Sequence, residues 1–367
     1  MSKNVDSLFK PFNVKSLSLK NRIAMAPMTR SFSPKGIPTQ EVADYYRRRA
    51  EGGTGLLITE GTTINDAVAT MDSKIPQIHG QEALAGWQKV VEDVHAVGGK
   101  IIPQLWHVGM ARNPKNAPFS ELASAGPSGL LSPGKQVAEP MTVEHINNVI
   151  NAFAQAAKDA QKVGFDGIEI HGAHGYLVDQ FFWSGTNQRT DEWGGSMANR
   201  SRFAVEIIKA IRAATGPDFP IVLRYSQWKQ QDYAARLAET PELLEQFLAP
   251  LADAGVDIFH CSTRRYWEPE FAGSDLNLAG WTKKLTGKST MTVGSVGLDG
   301  DFFGAFSGQG SNTRSIDDLI ERLDKGEFDL VAVGRALIQD PQWANKVRQG
   351  DMDKLETYSG DALTTLA

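Results

Sequence analysis

Short apolar runs recur along the chain and alternate with stretches of helical period. RIAMAPM (22–28), GLLITEGT (55–62), KIIPQLW (100–106), GIEIHGAH (167–174), PIVLRYS (220–226), DIFHCST (257–263), TMTVGSV (290–296) and LVAVGRAL (330–337) are the eight runs. Nearly continuous apolar runs of this kind predict strands buried on both faces, as in a parallel sheet. Between them, residues 143–163 carry Ile146, Val149, Ile150, Phe153 and Ala157 at helical spacing, with Thr142 as N-cap and Gly164 as stop. Residues 200–215 repeat the pattern through Phe203, Ile207 and Ile211, and Gly216 ends it. Eight strands alternating with helices predict an α/β fold, a (β/α)8 TIM barrel forming a single domain over residues 1–367. A doubly wound open sheet is the alternative, but no G-x-G-x-x-G follows the first strand. The segment 8–21, LFKPFNVKSLSLKN, reads as an N-terminal β-hairpin closing the barrel floor. The long stretch 107–142, rich in Gly, Pro and Ser, reads as a functional loop over the barrel mouth.

Composition narrows the setting. The 367 residues are 41% hydrophobic and 22% charged, ordinary values for a globular enzyme. Net charge is −5, from 38 basic and 43 acidic residues without a long basic run, which argues against nucleic-acid or anionic-membrane partners. Cys261 is the single cysteine, so no intrachain disulfide can form and a reducing compartment suits the chain. No run reaches the roughly 20 apolar residues of a membrane span, and MSKNVDSLFKPF lacks the apolar core of a signal peptide. A cytoplasmic location is the expectation. Monomer and homodimer both remain open.

Barrel enzymes place their chemistry at the carboxyl ends of the strands. Those ends carry Met28-Thr29-Arg30, Glu60-Gly61-Thr62, Gln104 to His107, His171 to Tyr176, Arg224, His260 to Thr263, Gly294-Ser295 and Gly334-Arg335. Gln104 and Arg224 lie within apolar runs, where an unpaired polar group is costly; a structural salt bridge would be one use of Arg224. The glycine-rich turn 294–297 and the Gly334-Arg335 pair follow the seventh and eighth strands, the corner where such barrels hold phosphate on backbone N–H groups. His171, His174 and Tyr176 admit three readings. They can be satisfied core residues, or ligands of a metal shared with His107, His260 or Glu169. They can also be an oxyanion site, with two imidazole donors and a phenol that keeps its proton at neutral pH.

The stretches NRIAMAPMTR, YYRRRAEGGTGLLITEGT, IPQLWHVG, GFDGIEIHGAHGYLVDQFF, SGTNQRTDEWGGSMANRSRF, LRYS and LVAVGRALIQDP point further. On them the chain resembles the Old Yellow Enzyme family of FMN-dependent ene-reductases, from residue 8 to about residue 345. The resemblance implies the oxyanion reading. It also implies FMN across the barrel mouth, with Ala26, Pro27, Met28 and Thr29 at the ring edge and Gly61 leaving room for a flat ring. Gln104 would pair with the pyrimidine edge, Arg224 would neutralise the reduced ring, and Gly294, Ser295, Gly334 and Arg335 would hold the phosphate. NADPH or NADH would supply hydride to the flavin, which passes it to the β-carbon of an enone, enal, nitroalkene or maleimide. His171 and His174 would bind the substrate oxygen, and Tyr176 would protonate the α-carbon. Trp106 and Tyr266 or Trp267 would shape the substrate cavity.

Some positions depart from the family pattern. Thr29 stands where one branch has cysteine, which sets the chain nearer the Thr-containing yeast-type branch. His174 replaces that branch's asparagine, and Trp193 replaces a tyrosine. The segment QWKQQDYAARLAETPEL after Arg224 lacks the usual Ser-Pro continuation. A metal-dependent hydrolase and a flavin carrier without turnover are the rival functions; Tyr176 above a flavin argues against the carrier.

Overall fold

The computed structural model describes residues 4–301, 304 and 309–367. Eight parallel strands pair in chain order: β1 (Ile23–Met25), β2 (Leu56–Thr63), β3 (Lys100–Trp106), β4 (Ile168–His174), β5 (Ile221–Lys229), β6 (Ile258–Ser262), β7 (Ser289–Val293) and β8 (Leu330–Val333). β8 then pairs with β1, Val331 opposite Ile23, and closes the barrel. Each apolar run overlaps one of these strands, and β2, β5 and β7 reach beyond theirs. Around them run α1 (Gln40–Glu51), α2 (Gln81–Ala96), α3 (Val143–Val163), α4 (Leu177–Phe182), α5 (Met197–Thr215), α6 (Pro241–Ala254), α7 (Leu278–Thr286), α8 (Asp317–Asp324), α9 (Arg335–Gln339) and α10 (Trp343–Gln349). The α3 caps are those the sequence indicates: Thr142 Oγ1 accepts the His145 N–H at 3.1 Å, and Gly164 takes φ 99°. α5 starts three residues earlier than its apolar period, because Ser196 Oγ accepts the Asn199 N–H at 3.2 Å.

Alternation along the strands sorts two cores. Ile101, Ile168, Ile170, Leu223 and Phe259 point outward and pack with the helices. Ala24, Leu56, Ile58, Ile102, Val222, Ile258, Met291, Leu330 and Ala332 point inward and form a separate cluster. Phe12, Leu17 and Leu19 complete this inner cluster from a hairpin, Phe12–Val14 against Leu17–Leu19, that plugs the floor. Two residues further along the strands the inward positions turn polar. Ile102 is followed by Gln104, Val222 by Arg224 and Ile258 by His260, all buried.

The stretch 107–142 differs from its expected place. It forms two 3-10 turns and a small hairpin, Leu130–Ser132 with Lys135–Gln136, and none of residues 108–142 lines the cavity at the mouth. Its backbone is instead held away from the mouth: Gln180 Oε1 accepts the Met110 N–H at 3.1 Å, and the Arg112 guanidinium donates to the carbonyls of Phe119 and Leu122. Glycine, proline and serine content marked a loop correctly but carries no information on where it packs. Among the described residues no helix is long and apolar enough to cross a membrane.

Candidate active site

One cavity opens at the carboxyl ends of the strands. Ala26, Pro27, Met28, Thr29, Gly61, Gln104, Trp106, His171, His174, Tyr176, Arg224, Gly294, Ser295, Gly334 and Arg335 all line it. Tyr266 and Trp267 do not. Tyr266 is buried behind the β7 turn, where its N–H donates to Gly294 O and its hydroxyl donates to Asp318. Trp267 packs under the Arg314 guanidinium, 3.8 Å away, which leaves neither ring free to face the cavity.

His171, His174 and Tyr176 converge at the end of β4. The two imidazoles stand 5.2 Å apart, nearly perpendicular, and the Tyr176 ring lies 4.9 Å from both His171 and Trp106. His174 adopts φ 64° and Gly175 φ 79°, left-handed backbone that swings Tyr176 back over the barrel. His171 Nδ1 accepts the Ala173 N–H at 3.4 Å, which puts the proton on Nε2 and leaves it as a donor. His174 Nε2 shares a 2.8 Å hydrogen bond with Ser262 Oγ, and Trp228 stacks on its ring at 4.5 Å. Burial, reinforced by the Arg224 charge, holds both imidazoles well below their ordinary pKa, so both are neutral at pH 7. Burial raises the Tyr176 phenol, against a 3.1 Å hydrogen bond donated by Gln230 Nε2.

Beneath them lies a buried polar layer. Gln104 Nε2 donates to Glu169 Oε1 at 2.8 Å, and His260 Nδ1 donates to Glu169 Oε2 at 2.6 Å. His260 and Glu169 are thereby committed to each other, while His107 faces Asp66 at 3.5 Å. Among the described residues no group of three or more His, Cys, Asp or Glu side chains could hold a metal ion. Arg224 has no carboxylate partner within salt-bridge distance among the described residues. Its nearest acceptor is Ser262 Oγ at 3.4 Å, and its buried Nε has no hydrogen-bond partner. An orphaned guanidinium N–H in a cavity wall fits an acceptor on a bound ligand.

At the β7–β8 corner, Gly294 takes φ 142° and Ser295 φ 49°, so successive N–H groups can turn toward one point. Arg335 stands beside them with its fork largely engaged. It donates to Asp301 O at 2.9 Å, Ser311 Oγ at 3.0 Å, Gly300 O at 2.5 Å and Ser295 Oγ at 3.4 Å. Gly61 lines the cavity, and a Cβ there would collide with the Trp106 ring. On the rim, Glu60 Oε2 accepts the N–H groups of Arg30 (2.8 Å) and Ser31 (2.9 Å), which shapes the turn carrying Thr29.

Several lining residues were not expected. Trp228, Gln230 and Tyr233 come from the segment after Arg224, Ser262, Thr263 and Arg264 from the end of β6, and Tyr358 and Leu363 from the carboxyl-terminal tail. The strand end at His260 to Thr263 was visible in the sequence as a candidate; the tail offers no local pattern.

Fold and site define a class: an α/β barrel whose mouth combines a left-handed glycine-serine corner beside an arginine, a buried guanidinium with an unpartnered Nε and two neutral histidines. The chain belongs to the NADH:flavin oxidoreductase / NADH oxidase family, which matches residues 7–354. It is 32% identical over 361 residues to 12-oxophytodienoate reductase 7 of Oryza sativa subsp. japonica, covering 93% of this chain and 87% of that protein. An NADH oxidase of Thermoanaerobacter brockii is 32% identical over 358 residues, 95% of this chain but 52% of the relative's length. Among solved structures, morphinone reductase in complex with tetrahydroNAD superposes with a TM-score of 0.81 at 28% identity, covering 97% of this chain and 93% of that one. The cofactor of this family is FMN, with a reduced nicotinamide as reductant.

Proposed function

We propose that the protein is an ene-reductase, which reduces the C=C bond of an enone, enal, nitroalkene or maleimide with NADPH or NADH. Hydride transfer, from the nicotinamide to the ring and from the ring to the β-carbon of the alkene, is the chemistry that bound FMN supplies. Arg224, with its unpartnered Nε, would hold the ring and offer a permanent cation to its reduced form. Gln104 keeps its carbonyl oxygen for an imide N–H because its amide is engaged by Glu169. Ala26, Pro27, Met28 and Thr29, which line the cavity, would flank the ring, and Thr29 is the residue behind a yeast-type assignment. The N–H groups around Gly294, Ser295 and Gly334, with Arg335 behind them, would take the phosphate.

His171 and His174 bind the carbonyl or nitro oxygen of the alkene. Being neutral, they donate hydrogen bonds without surrendering a proton, and the charge that develops on that oxygen is stabilised in a buried site. Tyr176 holds its proton at neutral pH and delivers it to the α-carbon from the side opposite the hydride, for net trans addition. Trp106 packs edge-on to Tyr176 and closes the side of the pocket. The observation that carries this reading is the convergence of two neutral imidazoles and a protonated phenol above Arg224. Two of the similar proteins are named as reductases of an oxo compound and of morphinone, which supports a ketone-bearing alkene.

Tyr176→Phe tests the reading, because it removes the proton and keeps the ring. In stopped-flow, reduction of the flavin by NADPH stays near the parent rate, and reoxidation by cyclohexenone slows by about 10²–10⁴-fold. Reoxidation by a nitroalkene, whose product anion is stabilised, slows much less. Unchanged reoxidation by cyclohexenone would assign the proton to another donor.

A further inference from the structure

Directly behind the catalytic turn lies an ion pair that the mechanism above does not use. Lys229 Nζ sits 2.6 Å from Asp179 Oδ1, and both side chains are 0% exposed. Removing two charges from water costs several kcal/mol per ion, so a buried pair is weak evidence for stability. Its contacts are more informative. Asp179 Oδ2 accepts the Gly175 N–H at 2.7 Å, at the centre of the left-handed His174-Gly175 turn. Lys229 also donates to Ser226 O at 3.1 Å, and its backbone lies opposite His174 in the β4–β5 ladder. β5 ends at Lys229, and Trp228, on the other face of the strand, and Gln230, just past its end, both line the cavity while the Lys229 side chain is buried away from it. Those two neighbours touch the catalytic groups: Trp228 stacks on His174, and Gln230 Nε2 donates to Tyr176 Oη. Because the phenol accepts from Gln230, its own O–H is left to point into the cavity.

We propose that Asp179 and Lys229 are positioning residues for alkene reduction, a buried clamp that fixes the His174-Gly175-Tyr176 turn and the register of Trp228 and Gln230 against it. This inference rests on the assignment of His171, His174 and Tyr176 made above. The clamp holds the β4 turn from below through Gly175 and the β5 extension through Lys229. Its effect reaches the substrate by two routes, the Gly175 N–H that fixes the turn and the Trp228 and Gln230 side chains that touch His174 and Tyr176.

The test replaces the pair without leaving one charge behind. Asp179→Asn/Lys229→Met keeps an acceptor for the Gly175 N–H, and Asp179→Leu/Lys229→Met is wholly apolar, an exchange that buried pairs often tolerate. Either folded variant is compared with the parent for FMN content, for both half-reactions, and for binding of 4-chlorophenol followed by the flavin spectrum. The expected result is retained FMN, weaker phenol binding and reoxidation by cyclohexenone slowed about 10²-fold, the scale of a misplaced reacting group. Flavin reduction by NADPH should fall much less. Parent-like phenol binding together with parent-like reoxidation overturns the proposal; so does equal slowing of both half-reactions with loss of FMN, which marks a merely structural pair. Tyr176→Phe, run alongside, separates the two ideas. If it leaves cyclohexenone reoxidation unchanged, the proton-donor assignment fails, and the phenol affinity of the paired variants still decides the clamp.

Discussion

The floor and the mouth of this barrel are built from the same strands and obey opposite rules. At the floor, Ile102, Val222 and Ile258 meet Phe12, Leu17 and Leu19 of the hairpin in an apolar plug. Two residues onward the same strands present Gln104, Arg224 and His260, also buried, each with a hydrogen bond but with Arg224 Nε and His260 Nε2 left without a partner. The floor is closed by apolar packing, while the mouth carries buried polar groups of which some lack a partner. Buried polar groups are costly unless paired, so a mouth that tolerates an orphaned guanidinium N–H, a left-handed His174 and a left-handed Ser295 is shaped for something it binds.

Substitutions in the two regions should therefore fail in different ways. The largest effect is expected at the floor. Leu19→Ala, in the plug, should lower unfolding free energy by about 2–5 kcal/mol in urea titrations and leave phenol affinity unchanged. A shift in phenol affinity of comparable size would show that floor and mouth are not separable.

At the mouth, replacing both His171 and His174 by alanine should leave FMN bound and weaken phenols, which bind as anions against the same donors. Loss of such a donor typically costs about 10²–10³-fold in rate, which is the drop expected for cyclohexenone reoxidation. Phenol binding as tight as in the parent would remove the pair from the oxyanion site.

Glu60, on the rim, should show the smallest effect, as a change of slope with pH. Burial raises its carboxyl from 4.5 to about 7, against the hydrogen bonds from Ser31 and Arg30. A folded pKa above the unfolded value means the contribution is present below pH 4.5 and lost as pH rises through about 7. Glu60→Gln should flatten that part of the stability profile, by about 3 kcal/mol at most between the two limits. A parent and variant with parallel urea midpoints from pH 5 to pH 8 would place the Glu60 titration elsewhere.

The floor was legible in the sequence because apolar alternation is a local signal. The eight runs, the Phe12–Leu19 hairpin and the α3 caps all follow from residues within a few positions of each other. Much of the mouth was legible through the strand ends and the HGAHGY block. The remainder depends on direction, which spacing does not encode. Tyr266 follows a strand end as Thr263 does, yet its side chain turns outward to Asp318. QWKQQ shows no apolar alternation, so nothing local marks it as three more residues of β5 with Trp228 and Gln230 facing the cavity. Tyr358 reaches the site only because the tail pairs with Ser311, a contact across many residues.

The central claim is that the polar mouth holds FMN and returns its electrons to an activated alkene. The visible spectrum of the purified protein tests it most directly, recorded anaerobically through one cycle. The account predicts a flavin band that bleaches on addition of NADPH and reappears when cyclohexenone is added. A protein that keeps no flavin band after incubation with FMN and removal of the unbound cofactor, or a bleached band that cyclohexenone leaves bleached, would contradict it.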